Sequence, residues 1–184
     1  MKKTYVEVKK GKDLSAHNIR RLNKIWKKAF KQDETIKTKK PESFADDTYF
    51  FVRGPKKELL SVGRLLPVRI RLLGKIYRIQ GIADIVSMIE RKGYGKILMT
   101  AIYKHLSQRK QTGVGFCSPK NSRFYHKCGF KIAKKAFKRF LYKNAKGKIV
   151  NAEGDALYID GRNGFMEKLL AHPKEKIILP QRPW

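Results

Sequence analysis

The chain has 184 residues, of which 41% are hydrophobic and 11% aromatic, enough to bury one ordinary core, so a single domain spanning 1–184 is expected. Its 44 Lys and Arg against 15 Asp and Glu give a formal charge of +29, yet apolar residues recur along the whole length, which excludes an unfolded polycation. The longest apolar runs, such as Ile82 to Val86 broken by Asp84, fall far short of the roughly 20 residues that cross a bilayer, and no apolar stretch follows the basic N-terminus as in a secretory leader. No membrane association is expected, and a cytoplasmic protein is. Cys117 and Cys128 lack zinc-site spacing and are too few for a disulfide framework, so they read as reduced, half-buried thiols; His17, His105, His126 and His172 are scattered, and no metal is implied.

The charge is segregated. Residues 1–30 carry 10 basic and 2 acidic side chains, 31–50 carry 4 and 5, 51–150 carry 25 and 3, and 151–184 carry 5 and 5. Such concentration fits either a lysine-rich composition or a middle segment that faces an anion, and the anion is either a phosphorylated cofactor or a nucleic acid.

In chain order, Thr4 to Val8 alternates as a first strand, and Asp13 or Ser15 caps a helix with Ile19, Leu22, Ile25, Trp26 and Ala29 on one face. The polar stretch 31–47 reads as a loop or a short helical excursion before a strand at Thr48 to Arg53, which Gly54-Pro55 ends. Leu59 to Leu73 and Ile76 to Met88 form a hairpin about Gly74-Lys75. A helix follows from Tyr94 to about Arg109, then a buried strand at Gly113 to Cys117, a break at Ser118-Pro119, and a short helix at Asn121 to Cys128 stopped by Gly129. Lys131 to Tyr142 fits helix or strand. Leu157 to Asp160 reads as a strand, Gly164 to Leu170 as a helix, and the divergent segment from about 151 ends at Trp184.

The strongest local feature is Glu90-Arg91-Lys92-Gly93-Tyr94-Gly95-Lys96, between a strand and a helix start. Glycines there let the backbone approach an anion, the first free amides of the helix point at phosphate oxygens, and Arg91, Lys92 and Lys96 add charge. A G-x-G at such a junction also serves as a plain turn.

Farther on stands Asn121-Ser122-Arg123-Phe124-Tyr125-His126-Lys127-Cys128-Gly129-Phe130. Together the two motifs and the order of elements to Leu141 resemble the GNAT-type N-acetyltransferases. That superfamily has a pantetheine-binding strand, a Q/R-x-x-G-x-G/A loop, a helix, a short strand and N-x-x-x-x-x-[FY]-Y-x-x-x-G-F. The resemblance implies an α/β (α+β) fold with a mixed, mostly antiparallel central sheet flanked by helices and splayed between the fourth and fifth strands. Two departures stand out. Glu90 occupies the Q/R position, so either Arg91 takes over the pyrophosphate contact in a shortened loop or Glu90 points to solvent beside a lysine. Asn121 sits closer to Tyr125 than the pattern has it, so it either caps the helix or touches pantetheine. The hairpin layout and terminal Trp184 are also loosely similar to aminoglycoside 2′-N-acetyltransferases, whose divergent C-terminal segment closes over the acceptor.

By that resemblance, acetyl-CoA is the cosubstrate and a primary amine, of a small molecule or of a peptide or protein, attacks its thioester directly. Ile85, Val86 and Ser87 would hold pantetheine through backbone groups, Arg91 to Lys96 the pyrophosphate, and Asn121 the cofactor arm. Asp84, interrupting an apolar strand, is the candidate base for the ammonium proton, or else pairs with one of many cations. Tyr125 is the candidate acid for the thiolate, or else a core aromatic. Covalent transfer through Cys117 or Cys128 is the weaker route. The segments expected to frame the acceptor are the non-basic ones, with Asp33, Glu34, Glu42, Asp46, Asp47, Glu153, Asp155 and Asp160 either attracting a cationic amine or simply solvated. The alternative is a non-catalytic nucleic-acid or ribosome-binding module on the same fold, with Lys131 to Lys148 as its densest basic patch and a weak polyanion contact expected in either case.

Overall fold

A computed structural model of the protein describes residues 4–30, 43–144 and 146–180. By their contacts the residues cluster into two compact units, Met1–Leu66 with Ala83–Leu98, and Pro67–Ile82 with Met99–Trp184. The expected loop over 31–42, with Asp33, Glu34 and Glu42, and the terminal Trp184 lie outside the described residues.

The first unit holds β1 (Tyr5–Lys10), α1 (Ala16–Phe30), β2 (Thr48–Arg53), the first part of β3 (Leu59–Leu72) and the last part of β4 (Lys75–Ser87). β1 pairs antiparallel with β2 from Tyr5↔Arg53 to Lys10↔Thr48, and β2 with β3 from Thr48↔Leu65 to Arg53↔Leu59. Of the two expected caps for α1, Ser15 serves, its Oγ accepting from the Asn18 amide at 3.2 Å. Ile19, Leu22 and Trp26 recur at helical spacing and pack with Tyr49, Phe51 and Val62 into the core of this unit. The rings of Trp26 and Tyr49 lie 6.3 Å apart, and those of Tyr49 and Phe51 6.4 Å.

The second unit starts with the rest of β3 and β4, joined at Leu73 and Gly74, both with positive φ (50° and 74°) as a tight two-residue hairpin turn requires. It continues through most of α2 (Tyr94–Gln108), then β5 (Gly113–Cys117), α3 (Pro119–Lys127), β6 (Lys131–Ala133), β7 (Phe140–Lys143), β8 (Ile149–Asn151), β9 (Asp155–Ile159), α4 (Phe165–Ala171) and β10 (Ile177–Ile178). β4 runs parallel to β5 over Gln80–Ile82 and Gly113–Gly115, while β5 and β6 each pair antiparallel with β9. The strand order is β1-β2-β3-β4-β5-β9-β6, and β10-β7-β8 form a second, three-stranded sheet. The central sheet is thus mixed and mostly antiparallel, as expected, and the described residues include four α-helices.

Two expectations change. The helix placed at Asn121 begins at Pro119, because proline at the first helical position lacks only an amide that is unbonded there anyway and brings a helical φ. The ambiguous stretch 131–142 is neither one helix nor one strand: β6, a 3-10 turn at Ala136–Arg139 and the start of β7 share it.

Candidate active site

Asp84 sits in β4 with φ of 54°, a left-handed break two residues beyond the last described rung of the ladder to β5. Its carbonyl accepts from the indole Nε1 of the fully buried Trp26 at 3.1 Å. Its carboxylate Oδ2 accepts from Arg64 Nε at 2.6 Å, and Arg64 Nη1 donates to Asp47 Oδ2 at 2.7 Å. The guanidinium also stands over the Trp26 ring, 5.5 Å from its centroid. Asp84 therefore has a cation partner, and the cation is Arg64.

One buried guanidinium faces two carboxylates, so the cluster carries a net negative charge unless a proton stays. Asp47 is the member that holds a proton longer as pH rises: burial outweighs the pull of Arg64 and lifts its carboxyl to about 6. Arg64, held by Asp84 and its other neighbours against the cost of burial, is pushed above its ordinary value. The Tyr49 hydroxyl donates to Asp47 at 3.4 Å and is itself raised by burial. Because the folded state holds the Asp47 proton more tightly than the unfolded chain, this group makes stability fall as pH rises from about 4 to about 6. The whole effect is about 3 kcal/mol, from two pK units at about 1.4 kcal/mol each. Urea unfolding across that range is expected to show this slope in the wild type and to lose it in Asp47→Asn; parallel curves would contradict the assignment.

The other part of the first unit is the glycine loop. Ser61 Oγ donates to the Val86 carbonyl at 2.9 Å, and Ser87 Oγ donates to Ser61 Oγ at 3.3 Å, so side chains of β3 brace the segment Ile85-Val86-Ser87 just before the loop. Arg91 and Gly93 both take positive φ, 59° and 80°. α2 opens at Tyr94, with the Gly93 carbonyl accepting the first helical bond from Ile97 at 3.1 Å. The amides of Tyr94, Gly95 and Lys96 therefore lie in the first turn, where an α-helix has no internal acceptor for them. Arg91, Lys92 and Lys96 are exposed beside these amides, and a Cβ placed on Gly93 would meet no atom within 4 Å. Three helix-start amides and three exposed cations form a donor set that fits a pyrophosphate. Glu90 is exposed too and makes no ion pair among the described residues, so the lysine partner considered for it is not found. Gly93→Val, which forces a β-branched residue into a left-handed conformation, is expected to destabilise by about 1–2 kcal/mol and to weaken binding of the acyl-CoA that the resemblance implies at least tenfold. Calorimetry would read this; unchanged affinity would remove the loop from the site.

In the second unit, Tyr125 lies on α3, half-buried, its ring 5.0 Å from that of Phe124 and tilted by 70°. Among the described residues its hydroxyl has no hydrogen-bond partner, unlike that of a core tyrosine. Burial, and after it the neighbouring Cys117 and Cys128 thiols, push this phenol up to about 12. Asn121 occupies the third position of α3 and Ser118 the N-cap, so the capping role considered for Asn121 is excluded. Both cysteines are buried and neither is in a disulfide; burial raises the Cys117 thiol, whose Sγ lies 3.6 Å from Ser122 Oγ, and this disfavours the thiolate that covalent transfer needs.

Several acids expected at the acceptor have other work. Asp155 accepts from Ser122 Oγ at 2.7 Å and from the Lys135 amide at 3.2 Å. Asp160 accepts from the Met166 and Glu167 amides at the start of α4. Asp46 and Glu153 remain exposed. Sequence reasoning missed Arg64, whose signal is a single cation inside the apolar run Leu59 to Leu66.

The acetyltransferase (GNAT) domain family matches residues 11–133. No curated protein matches the chain in sequence. Among solved structures, Escherichia coli ElaA is similar at a TM-score of 0.55 and 12% identity, over 84% of this chain and 97% of that one. An acyl-CoA N-acyltransferase of Pseudomonas aeruginosa gives 0.54 at 15% identity, over 84% and 97%. The catalytic domain of the Tetrahymena GCN5 histone acetyltransferase, solved with coenzyme A, gives 0.55 at 11% identity, over 85% and 92%. At these identities the likeness shows a shared fold.

Proposed function

The chain belongs to the GNAT acetyltransferase family and is an acyl-CoA-dependent N-acetyltransferase, and on that footing we propose that it moves the acetyl group of acetyl-CoA to a primary amine by direct attack. The observation that carries the choice of donor is the start of α2, where unbonded amides and the free Arg91, Lys92 and Lys96 suit a pyrophosphate. When bound, acetyl-CoA supplies the thioester carbonyl and a thiolate leaving group. Gly93, Tyr94 and Gly95 bring backbone to the diphosphate, and Ile85, Val86 and Ser87 offer main-chain groups to the pantetheine arm. The family resemblance also assigns Asn121, on α3, to the cofactor arm.

An amine near pK 10 is protonated at neutral pH and has to lose that proton before it attacks. Asp84 remains our candidate for accepting it; Arg64 holds both Asp84 and Asp47, so the charge on Asp84 is felt by Asp47, whose carboxyl lies at about 6, without a proton passing between them. Tyr125 offers its unpaired hydroxyl to the sulfur. At about 12 it lies some 3.5 units above an ordinary thiol, so it steadies the thiolate by a hydrogen bond while water supplies the proton. The alternative of a non-catalytic nucleic-acid module loses its premise, since the family is one of acetyltransferases. The test is thiol release from acetyl-CoA over a panel of polyamines, aminoglycosides and lysine peptides. Amine-dependent turnover supports the proposal; turnover only with longer acyl-CoA donors would replace acetyl by another acyl group.

A further inference from the structure

We propose that the second unit carries a separate site for single-stranded nucleic acid, in a groove of about 870 Å³ between α3 and the turn that follows β6. Its volume is that of ligand sites, about 300–1,000 Å³. Arg123 and His126 enter it from α3, and Lys134, Lys135 and Lys138 from the turn. All five are exposed, and none forms an ion pair among the described residues. Pro119 and Ile132 contribute apolar surface. The one carboxylate, Asp155, is 6% exposed and occupied by Ser122 and the Lys135 amide, which leaves the groove walls positive.

This groove is not the face assigned to the cofactor. Pro119, Ser122, Arg123 and His126 follow each other at helical spacing along one side of α3. At about 100° per residue, Asn121 and Tyr125 project from the helix at other angles, Asn121 from the far side.

The occupant follows from the mixture of groups. Four permanent cations around an apolar floor suit a ligand that alternates phosphates with flat, partly apolar bases. Arg123 adds a planar guanidinium on which a base stacks. A duplex would present its phosphates and leave Pro119 and Ile132 uncovered.

The test is fluorescence anisotropy with labelled 12-residue oligouridylate and oligothymidylate over a salt series, using the full chain. The groove variant replaces Arg123, Lys134, Lys135 and Lys138 by Gln. The control replaces Arg20, Lys24, Lys27 and Lys28, exposed on α1, by Gln and so removes the same charge. The groove variant is expected to lose at least tenfold in affinity and to flatten the log K against log salt slope by about 3, at roughly 0.7 per phosphate contact on a single strand. The control should stay within about twofold. Equal losses in both variants would assign the attraction to overall charge. Displacement by acetyl-CoA would assign the groove to the cofactor, and equally tight binding of an acidic peptide or a duplex would remove the preference for single strands; each result overturns the proposal. Single Lys134→Gln and Lys138→Gln variants, each expected to lose about two- to threefold, keep the test open if the quadruple variant folds poorly.

Discussion

Replacing Tyr125 by phenylalanine is expected to lower kcat about 10²-fold while the KM for acetyl-CoA stays within about twofold. The ring remains to pack against Phe124 at 5.0 Å, so only the hydroxyl is lost, and among the described residues that hydroxyl binds nothing in the protein. A group that interacts only with the developing thiolate contributes to the transition state and little to ground-state binding. A phenol at about 12 keeps its proton throughout the usable range, so the wild-type rate should show no alkaline fall from Tyr125. An unchanged kcat in Tyr125→Phe would return the residue to the core.

The largest loss of stability is expected from Arg64→Leu, about 3–5 kcal/mol at pH 7 by urea unfolding. Arg64 is the cation shared by Asp47 and Asp84, at 2.7 and 2.6 Å, with side chains only 12%, 7% and 11% exposed. Its removal strands two carboxylates in the core and takes a guanidinium from the Trp26 face. Arg64→Lys should recover little, since an ammonium cannot fork to both acids while lying flat on an indole. Adding Asp47→Asn to Arg64→Leu should restore part of the loss by deleting one stranded charge. A cost below about 1 kcal/mol for Arg64→Leu would show that the cluster does not hold β3, β4 and α1 together.

Much of this was legible in the sequence, and the exceptions have physical reasons. The strands Thr48–Arg53 and Gly113–Cys117 appear with their expected bounds, because apolar runs closed by Gly-Pro or Ser-Pro leave little latitude. The hairpin about Gly74 and the helix after the glycine loop were equally readable. β8 and β10, of three and two residues, are too short to show a period. Pro119 reads as a breaker although proline also starts helices, so α3 begins two residues before the expected Asn121.

Asp84 drew attention as an acid in an apolar strand, but its left-handed backbone and its partner were hidden. Arg64 lies 20 positions earlier, and only the hairpin brings it there. Counting back from the two-residue turn sets Arg64 opposite Ala83, next to Asp84, so this pair was within reach. Asp47 was not, since its shift depends on burial and on an indirect neighbour.

The central claim is that the chain binds and uses acetyl-CoA at the start of α2. A protein of +29 attracts any polyanion, so affinity alone is not informative. The most direct measurement is a calorimetric titration with acetyl-CoA at about 0.15 M salt, with a short oligonucleotide of matching charge as control. The account predicts saturation at one site per chain, tighter than the control and weakened in Gly93→Val. Acetyl-CoA binding no tighter than the oligonucleotide, or without a defined stoichiometry, would contradict it.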